Sequence, residues 1–243
     1  MIILSVGMPR AGSGWFYNLT NDLVVASGGQ DARQIRQRYR LQSVLTEVNC
    51  NIGALTLRRL LAVWLPSRLG NTFVIKAHAA PTPIGRLFIR SGWMRAAYIY
   101  RDPRDAMLSA YENGQRAMQK GRPNAFSGLT DFDRALNFMQ GYVDISTAWL
   151  SCPAVLNTRY EDLLMDYPVE TDRLVNFLKL DPRNEAIRQV IEKYRPEQGM
   201  ADRKGLHFSK GKIGRFRQKW SHAQLELLAQ QFESYLIQAG YEV

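Results

Sequence analysis

The sequence predicts an α/β fold in which a central parallel β-sheet is flanked by helices on both faces. Short apolar runs of strand length alternate along the chain with helical patterns, which is typical of parallel sheets. The first such run, IILSV at residues 2–6, stops at a glycine-rich turn. With 243 residues, 46% of them hydrophobic, the chain is long enough to bury the core of such a sheet.

The strands are assigned to short, mostly apolar runs, which are typical of strands buried inside a parallel sheet. They comprise residues 2–6, 71–78, 95–101 and 153–160.

The helices are assigned largely from the signals at their ends. Asp102 is a suitable N-cap, Pro103 a suitable first residue and Gly114 a suitable end for one helix. Prolines open two later helices, and Ser221 with Gln224 forms a capping box for the last one. The predicted helices cover residues 13–26, 103–114, 131–150, 168–180, 182–194 and 221–240.

The net charge of the chain indicates the charge of its binding partner. The chain has 32 Lys and Arg residues against 22 Asp and Glu residues, a formal net charge of +10. This excess favours an anionic partner, which is a nucleic acid, a membrane surface or a phosphorylated small molecule. Charge alone does not choose among them.

Cysteine usage and hydropathy predict a cytoplasmic protein. Cys50 and Cys152 are far apart and belong to no metal-spaced pair, so neither a disulfide framework nor a zinc site is expected. The first apolar run has no basic region before it and is too short for a signal peptide. No stretch approaches the roughly 20 apolar residues of a membrane span.

Three polar residues lie at or just beyond the ends of predicted strands: Arg10, His78 and Arg101. In parallel sheets, ligands bind outside the carboxyl ends of the strands. The sequence therefore predicts that these side chains converge on one site.

The glycine-rich turn GMPRAGSGW, residues 7–15, has the composition of an anion cradle between a strand and a helix N-terminus. Gly7 and Gly12 have the glycine spacing of the Walker pattern GxxxxGK[ST], but Ser13 and Gly14 follow where that pattern needs Lys and Ser or Thr. The turn is therefore suited to a phosphate-like group without a metal. The alternative is a turn whose glycines only permit tight packing.

The segment PRAGSGW resembles the PKSGTTW-type loop of sulfotransferases that use 3′-phosphoadenosine 5′-phosphosulfate (PAPS) and release 3′-phosphoadenosine 5′-phosphate (PAP). The resemblance implies that Arg10 contacts the transferred group and that Trp15 stacks near the adenine. Arg10 replaces a lysine, a change that still permits two parallel hydrogen bonds to the phosphosulfate. Gly14 replaces a hydroxyl residue and removes one donor. The backbone N–H groups that the resemblance assigns to the phosphosulfate are those of Ala11, Gly12, Ser13 and Gly14.

Two further segments resemble the family around the donor nucleotide. In YRDPRDAMLSAY, Arg101 and Ser109 have the spacing of the arginine and serine that bind the 3′-phosphate. In TRYEDL, Tyr160 matches a tyrosine near the adenine. The alternative for all three residues is a packing role at a strand end or on a helix.

The segment HFSKGKIGRFRQKWS resembles the family's RKGxxGxWKxxF pattern, which closes over the 3′-phosphate. Ser209, Lys210 and Gly211 are the matching residues, with Ser209 replacing an arginine. The earlier triplet Arg203–Gly205 is a second match. The alternative is a solvated basic loop.

The segment VIKAH resembles the family's KTH signature, which implies catalytic roles for two residues. Lys76 and His78 lie two apart, so on a strand they point to the same side. His78 would be the general base for the acceptor, and Lys76 with Arg10 would stabilise charge on the leaving oxygen. The alternative for His78 is a structural histidine whose ring hydrogen bonds are satisfied.

Taken together, the resemblance spans residues 3–221 as ordered landmarks and implies a single sulfotransferase domain over residues 1–243, folded as a three-layer sandwich like that of the P-loop NTPases. It implies in-line sulfuryl transfer from PAPS to a hydroxyl or amine of a small-molecule acceptor, without a metal. The acceptor pocket is expected between the matched segments, at residues 28–70, 79–94 and 114–130.

Two other functions are compared with this one. A P-loop nucleotide or small-molecule kinase needs the loop lysine and magnesium ligands that the turn lacks. A non-catalytic basic module that binds nucleic acid has no recognised motif here. We expect no nucleic-acid partner, and the sequence leaves a homodimer open.

Overall fold

A computed structural model describes residues 1–196 and 212–243 of the chain. Within these residues, four parallel strands form one sheet in the order β2-β1-β3-β4. The strands are β1 (Ile2–Gly7), β2 (Phe73–Ala77), β3 (Met94–Tyr100) and β4 (Leu156–Arg159).

The helices connect the strands and cover the sheet. The first group, up to β3, comprises α1 (Ser13–Ala26), α2 (Ala32–Arg38), α3 (Leu57–Arg68) and α4 (Pro83–Arg90). The second group, after β3, comprises α5 (Pro103–Gln119), α6 (Phe132–Leu150), α7 (Tyr160–Met165), α8 (Tyr167–Leu178), α9 (Glu185–Lys193), α10 (Phe216–Lys219) and α11 (His222–Gln238). None of these helices is long and apolar enough to cross a membrane.

The sheet is buried on both faces because successive side chains of a strand point in opposite directions. On β1, Leu4 packs into a cluster with the side chains of α2, α3 and α4, whereas Ile3 packs into a cluster with those of α1 and α8. The predicted fold class, a parallel sheet with helices on both faces, is confirmed.

The predicted N-terminal ends of two helices are also confirmed. Asp102 caps α5 by accepting from the N–H of Arg104, and Pro103 is the first helical residue. The last helix has the predicted capping box of Ser221 and Gln224.

The prediction that Gly114 ends its helix is wrong, because α5 continues to Gln119. Gly114 is buried, and a Cβ there would lie 2.0 Å from the carbonyl oxygen of Phe126. This glycine therefore permits the chain at residue 126 to approach the helix rather than ending the helix.

Other boundaries also differ from the prediction. Strand β4 ends at Arg159, so Tyr160 begins α7 instead of ending the strand. Helix α9 begins after Asn184, whose side chain accepts from the N–H of Ala186, and Pro182 lies in the preceding turn. An Asn N-cap satisfies a helix N–H group that proline cannot.

The strand order creates a crevice at the expected edge of the sheet. Strand β1 is central, and the chain passes from it to β2 on one side before it returns to β3 on the other. The carboxyl ends of β1 and β3 therefore lie at the point where the strand order reverses, which is where open α/β sheets bind ligands. Residues 7–15 and Arg101 follow these two strand ends.

Candidate functional site

The glycine-rich turn after β1 has a backbone that only small residues allow. Gly12 has φ 74° and is the N-cap of α1, without a side-chain cap. A Cβ on Gly12 would lie 2.7 Å from the Tyr160 ring, and one on Gly7 would lie 2.6 Å from the Cβ of Ser13. The N–H groups of Ser13 and Gly14, in the first turn of α1, have no intrahelical acceptors and favour an anion. The N–H of Ala11 donates to the carbonyl oxygen of Met8 at 3.2 Å.

Arg10 lies in this turn and is held by two of the predicted site residues. Its backbone has φ 66°, and its carbonyl oxygen accepts from Nη1 of Arg101 at 3.2 Å. Its Nε donates to Oγ of Ser109 at 3.1 Å. Burial and the neighbouring charges of Arg101 and Arg116 lower the pKa of Arg10 to about 10. The turn is therefore cationic before any anion binds.

Arg101 follows β3 and joins several parts of the site. It is 8% exposed, and its guanidinium lies 4.4 Å from the centre of the Tyr160 ring. Nη2 lies 3.5 Å from Oδ2 of Asp105 and donates to the carbonyl oxygen of Lys212 at 3.1 Å. Its Nε is buried without a hydrogen-bond acceptor among the described residues. Oε1 of Glu161 lies 4.0 Å from this Nε, beyond hydrogen-bond distance. A buried guanidinium N–H without a hydrogen-bond acceptor is suited to an anionic ligand.

Lys76 and His78 bring two further titratable groups to the same edge of the sheet. Nδ1 of His78 lies 2.6 Å from the carbonyl oxygen of Gly7. Because a carbonyl oxygen only accepts, Nδ1 carries the proton and donates, which leaves Nε2 as the ring's acceptor. Burial and the charge of Lys76 lower the pKa of His78 to about 4, although the hydrogen bond to Gly7 raises it. His78 is therefore a neutral base at physiological pH.

Lys76 itself is 6% exposed, on β2 beside Ser5 of β1. Burial and the charge of Arg10 lower the pKa of Lys76 to about 8. Neither Arg10 nor Lys76 forms an ion pair with a carboxylate of residues 1–196 or 212–243. These cations repel one another, so a bound dianion would relieve the repulsion.

Tyr160 and Trp15 lie behind the turn. The Tyr160 ring is placed between Gly12 and the Arg101 guanidinium and meets Trp15 edge to face at 6.3 Å. Trp15 is 2% exposed, and its ring stacks on Tyr167 at 5.9 Å. Its Nε1–H donates to the carbonyl oxygen of Tyr194 at 3.0 Å. The structure thus places Trp15 in the core beneath the turn.

The structure brings together the predicted residues that it describes: the turn from Arg10 to Gly14, Lys76 and His78, Arg101 with Ser109, and Tyr160. The predicted residues Ser209, Lys210 and Gly211, and the alternative triplet 203–205, lie outside the described residues.

The comparison with protein families decides the family. The model of the sulfotransferase domain matches residues 2–238, which is nearly the whole chain. The chain belongs to the sulfotransferase family. No curated protein matches its sequence.

Solved structures show that this sulfotransferase shares its fold with distant relatives. Mouse sulfotransferase SULT7A1 complexed with PAP is 15% identical, with a TM-score of 0.63 over 97% of this chain and 83% of that chain. Retinol dehydratase in complex with androsterone and the inactive cofactor PAP is 17% identical, with a TM-score of 0.58 over 97% and 80% of the two chains. STF9 from Mycobacterium avium is 14% identical, with a TM-score of 0.51 over 100% and 77%.

Asp105 is a buried residue of the site that the sequence analysis missed. Its carboxylate accepts from the N–H of Gly214 at 2.6 Å and from the N–H of Phe216 at 3.2 Å, and it pairs with Arg101. The i,i+4 spacing of Arg101 and Asp105 was the available signal, because such a pair meets at the start of a helix.

Glu161 was missed as well, and only the tertiary structure reveals its partners. One carboxylate oxygen accepts from the N–H of Asp102 at 3.3 Å, and the other accepts from the hydroxyl of Tyr241 at 2.8 Å. Burial raises the pKa of Glu161, whereas the charge of Arg101 lowers it. Because Glu161 also lies 4.0 Å from Nε of Arg101, its carboxylate connects Tyr241 to that arginine.

Four aromatic residues of the segments expected to form the acceptor pocket lie in two different places in this sulfotransferase. Phe126 lies against Arg10, whose guanidinium is 5.7 Å from the ring centre. Trp64, Phe88 and Trp93 pack on one another between α3 and α4. Residue 126 therefore lies next to the turn, whereas the other three aromatic residues fill the space between α3 and α4.

The residues that the structure describes contain no group of three or more His, Cys, Asp or Glu side chains that could hold a metal ion.

Proposed function

We propose that this sulfotransferase transfers the sulfuryl group of PAPS to a hydroxyl or amine of a small-molecule acceptor. The observation that carries the proposal is the bond between Nδ1 of His78 and the carbonyl oxygen of Gly7. This bond leaves Nε2 as an acceptor in the same crevice as the cationic turn.

The residues that would hold the donor fit its two anionic groups. Arg10 and the N–H groups at the start of α1 would bind the 5′-phosphosulfate, and Arg101 with Ser109 would bind the 3′-phosphate. The buried Nε of Arg101, which has no hydrogen-bond acceptor within residues 1–196 and 212–243, supports the second assignment. Tyr160 would contact the nucleoside, and the resemblance assigns residues 209–211 to the 3′-phosphate. When bound, PAPS supplies the sulfuryl group on a phosphate leaving group.

His78 is suited to take a proton from the acceptor. Its Nε2 lone pair is available because Nδ1 carries the ring proton. With its pKa lowered to about 4, the ring is neutral at pH 7, and bound anions would raise this pKa towards neutrality. Binding of the donor would therefore make His78 a stronger base before it takes a proton from the acceptor.

Lys76 and Arg10 are suited to stabilise negative charge that develops on the leaving oxygen. Both are buried cations without a carboxylate partner among the described residues, and buried charges act more strongly than exposed ones. With the acceptor positioned between His78 and this pair, the reaction needs only an in-line displacement and no covalent enzyme intermediate.

The acceptor and the compartment complete the proposal. The aromatic ring of Phe126 beside Arg10 supports an acceptor pocket over the turn, within the predicted segment 114–130. Cys50 and Cys152 are both buried and free, which agrees with a reducing cytoplasm. We assign residues 1–243 to one domain.

Calorimetric titration tests the proposed function. We expect PAP to bind without magnesium, because the turn lacks the lysine and hydroxyl of a metal-dependent P-loop. Tight binding of ATP with magnesium instead would indicate a kinase. Steeply salt-dependent binding of DNA or RNA, with none of PAP, would indicate a nucleic-acid module.

Donor affinity is expected to fall above pH 8 because of Lys76. Its pKa of about 8 in the free protein will rise when PAP binds, so binding takes up a proton in this range. Below pH 8 the lysine is charged in both states, and the affinity does not depend on its titration. Calorimetry at one pH unit above 8, in two buffers of different ionisation enthalpy, measures the uptake. Lys76→Met should abolish it, and undiminished uptake in that variant would assign the proton to another group.

A further inference from the structure

Helices α3 and α4 present large apolar side chains to solvent on one flank of the molecule. Leu57, Leu61 and Leu65 recur every fourth residue along α3, so they lie side by side on its outer surface. We call this surface the α3–α4 face, and its large apolar side chains are those of Leu57, Leu61, Leu65, Leu69, Leu87 and Trp93. Each of these side chains is between 39% and 62% exposed.

The side chain of Trp93 connects the two helices of the α3–α4 face. The Trp93 ring lies 5.3 Å from Trp64 of α3 and 5.2 Å from Phe88 of α4, so it fills the space between the two helices. The opposite side of α3 is fully buried through Leu60 and Val63. The exposed leucines are therefore not needed for packing against the sheet.

The segment of chain that forms this face carries charge of one sign. Residues 48–101 contain eight of the chain's 32 basic residues and none of its 22 acidic residues. Arg58, Arg68 and Arg90 are exposed beside the leucines, and none of them forms an ion pair with a described carboxylate. The guanidinium of Arg68 stacks 5.7 Å from the centre of the Trp64 ring.

We propose that the α3–α4 face docks on an anionic lipid bilayer. Leucine and tryptophan side chains enter the boundary between headgroups and acyl chains, and flanking arginines bind lipid phosphates, as in amphipathic helices that lie on membranes. A second copy would place arginines against arginines, which is unfavourable. Nucleic acid would use the arginines but would leave the leucines in water. This docking is peripheral and independent of the proposed transfer reaction.

Vesicle sedimentation tests the docking. We expect the full chain to sediment with vesicles of phosphatidylcholine and phosphatidylglycerol, and much less with phosphatidylcholine alone. The double variant Arg58→Gln with Arg90→Gln should lower partitioning by roughly tenfold or more, since each surface cation contributes about a factor of five. Leu61→Gln with Leu65→Gln should cause a comparable loss.

Matched controls separate this face from the rest of the surface. Val169→Gln with Ile237→Gln replaces two other exposed apolar residues, and Lys179→Gln with Arg183→Gln replaces two other exposed cations. Both pairs should bind vesicles like the unmodified chain, and thermal unfolding should confirm that every variant is folded.

Three results would overturn the proposal. The first is a chain that stays in solution with anionic vesicles at low salt. The second is a dimer in sedimentation velocity that Leu61→Gln with Leu65→Gln dissociates, which would assign the face to a second copy. The third is binding of a duplex oligonucleotide in place of vesicles, lost in the arginine variant and kept in the leucine variant.

Discussion

Replacement of His78 by alanine is expected to reduce sulfuryl transfer by about a thousandfold or more, while PAP still binds with nearly unchanged affinity. A positioned general base contributes roughly 10²–10⁴-fold to a rate. Nδ1 of His78 donates to the carbonyl oxygen of Gly7, so Nε2 is the ring atom that can accept a proton. The alanine variant loses the base, but it keeps Arg10, Arg101 and the first turn of α1, which would bind the donor.

The measurement is turnover with labelled PAPS and an acceptor identified by screening, together with calorimetric titration of PAP. His78→Asn is a second variant, because its amide N–H can still donate to Gly7 while no ring base remains. His222→Ala is the matched control, since His222 lies exposed on α11 and should be dispensable. Full activity of His78→Asn would show that the ring is not the base.

Replacement of Arg101 by alanine is expected to weaken binding of PAP by about ten- to a hundredfold and to leave adenosine 5′-phosphate binding almost unchanged. A hydrogen bond to a charged group contributes about 1.5–3 kcal/mol, and only PAP carries the 3′-phosphate. The selective loss is expected because Nε of Arg101 is the buried donor without an acceptor among the described residues.

Arg101→Ala is also expected to lower the free energy of unfolding. Arg101 pairs with Asp105 at 3.5 Å and lies 4.0 Å from Glu161, and both carboxylates are buried. Removal of one partner of a buried ion pair costs about 3–5 kcal/mol. Arg101→Lys keeps the charge and loses the planar guanidinium. It should therefore be more stable than Arg101→Ala, but it should discriminate less between the two nucleotides than the unmodified chain does. Arg104→Lys, which replaces a buried arginine in the first turn of α5, is the control. An equal loss of affinity for both nucleotides would refute the assignment to the 3′-phosphate.

Most of the fold could be read from local patterns. The run IILSV, the strand before His78 and the run before Arg101 are all strands at the expected places. Apolar runs of strand length have few alternatives when helical patterns separate them. Helices α2, α3 and α4 lie in segments that the sequence analysis left unassigned. Asp31 caps α2, and Thr82 caps α4 with Pro83 as its first residue, so these two helices had end signals that the sequence analysis did not use.

The errors share one cause. Gly114 looked like a helix end, but it lies inside α5 because the chain near Phe126 passes very close to it. A glycine that permits a close approach and a glycine that ends a helix are identical in sequence, and the difference depends on a segment 12 residues away. Tyr160 was placed at the end of a strand and begins a helix for a similar reason, since β4 pairs with β3 only as far as Arg159.

Spacing along the chain is enough to predict the sheet, the glycine-rich turn and the charged residues that follow the strands. The protonation and pairing of these charged residues depend on the fold. It selects the proton position on His78 through Gly7, lowers the pKa of Lys76 and Arg10, and places Asp105 and Glu161 around Arg101. Burial and charge act through space over a few ångströms, so they depend on which residues the fold brings together.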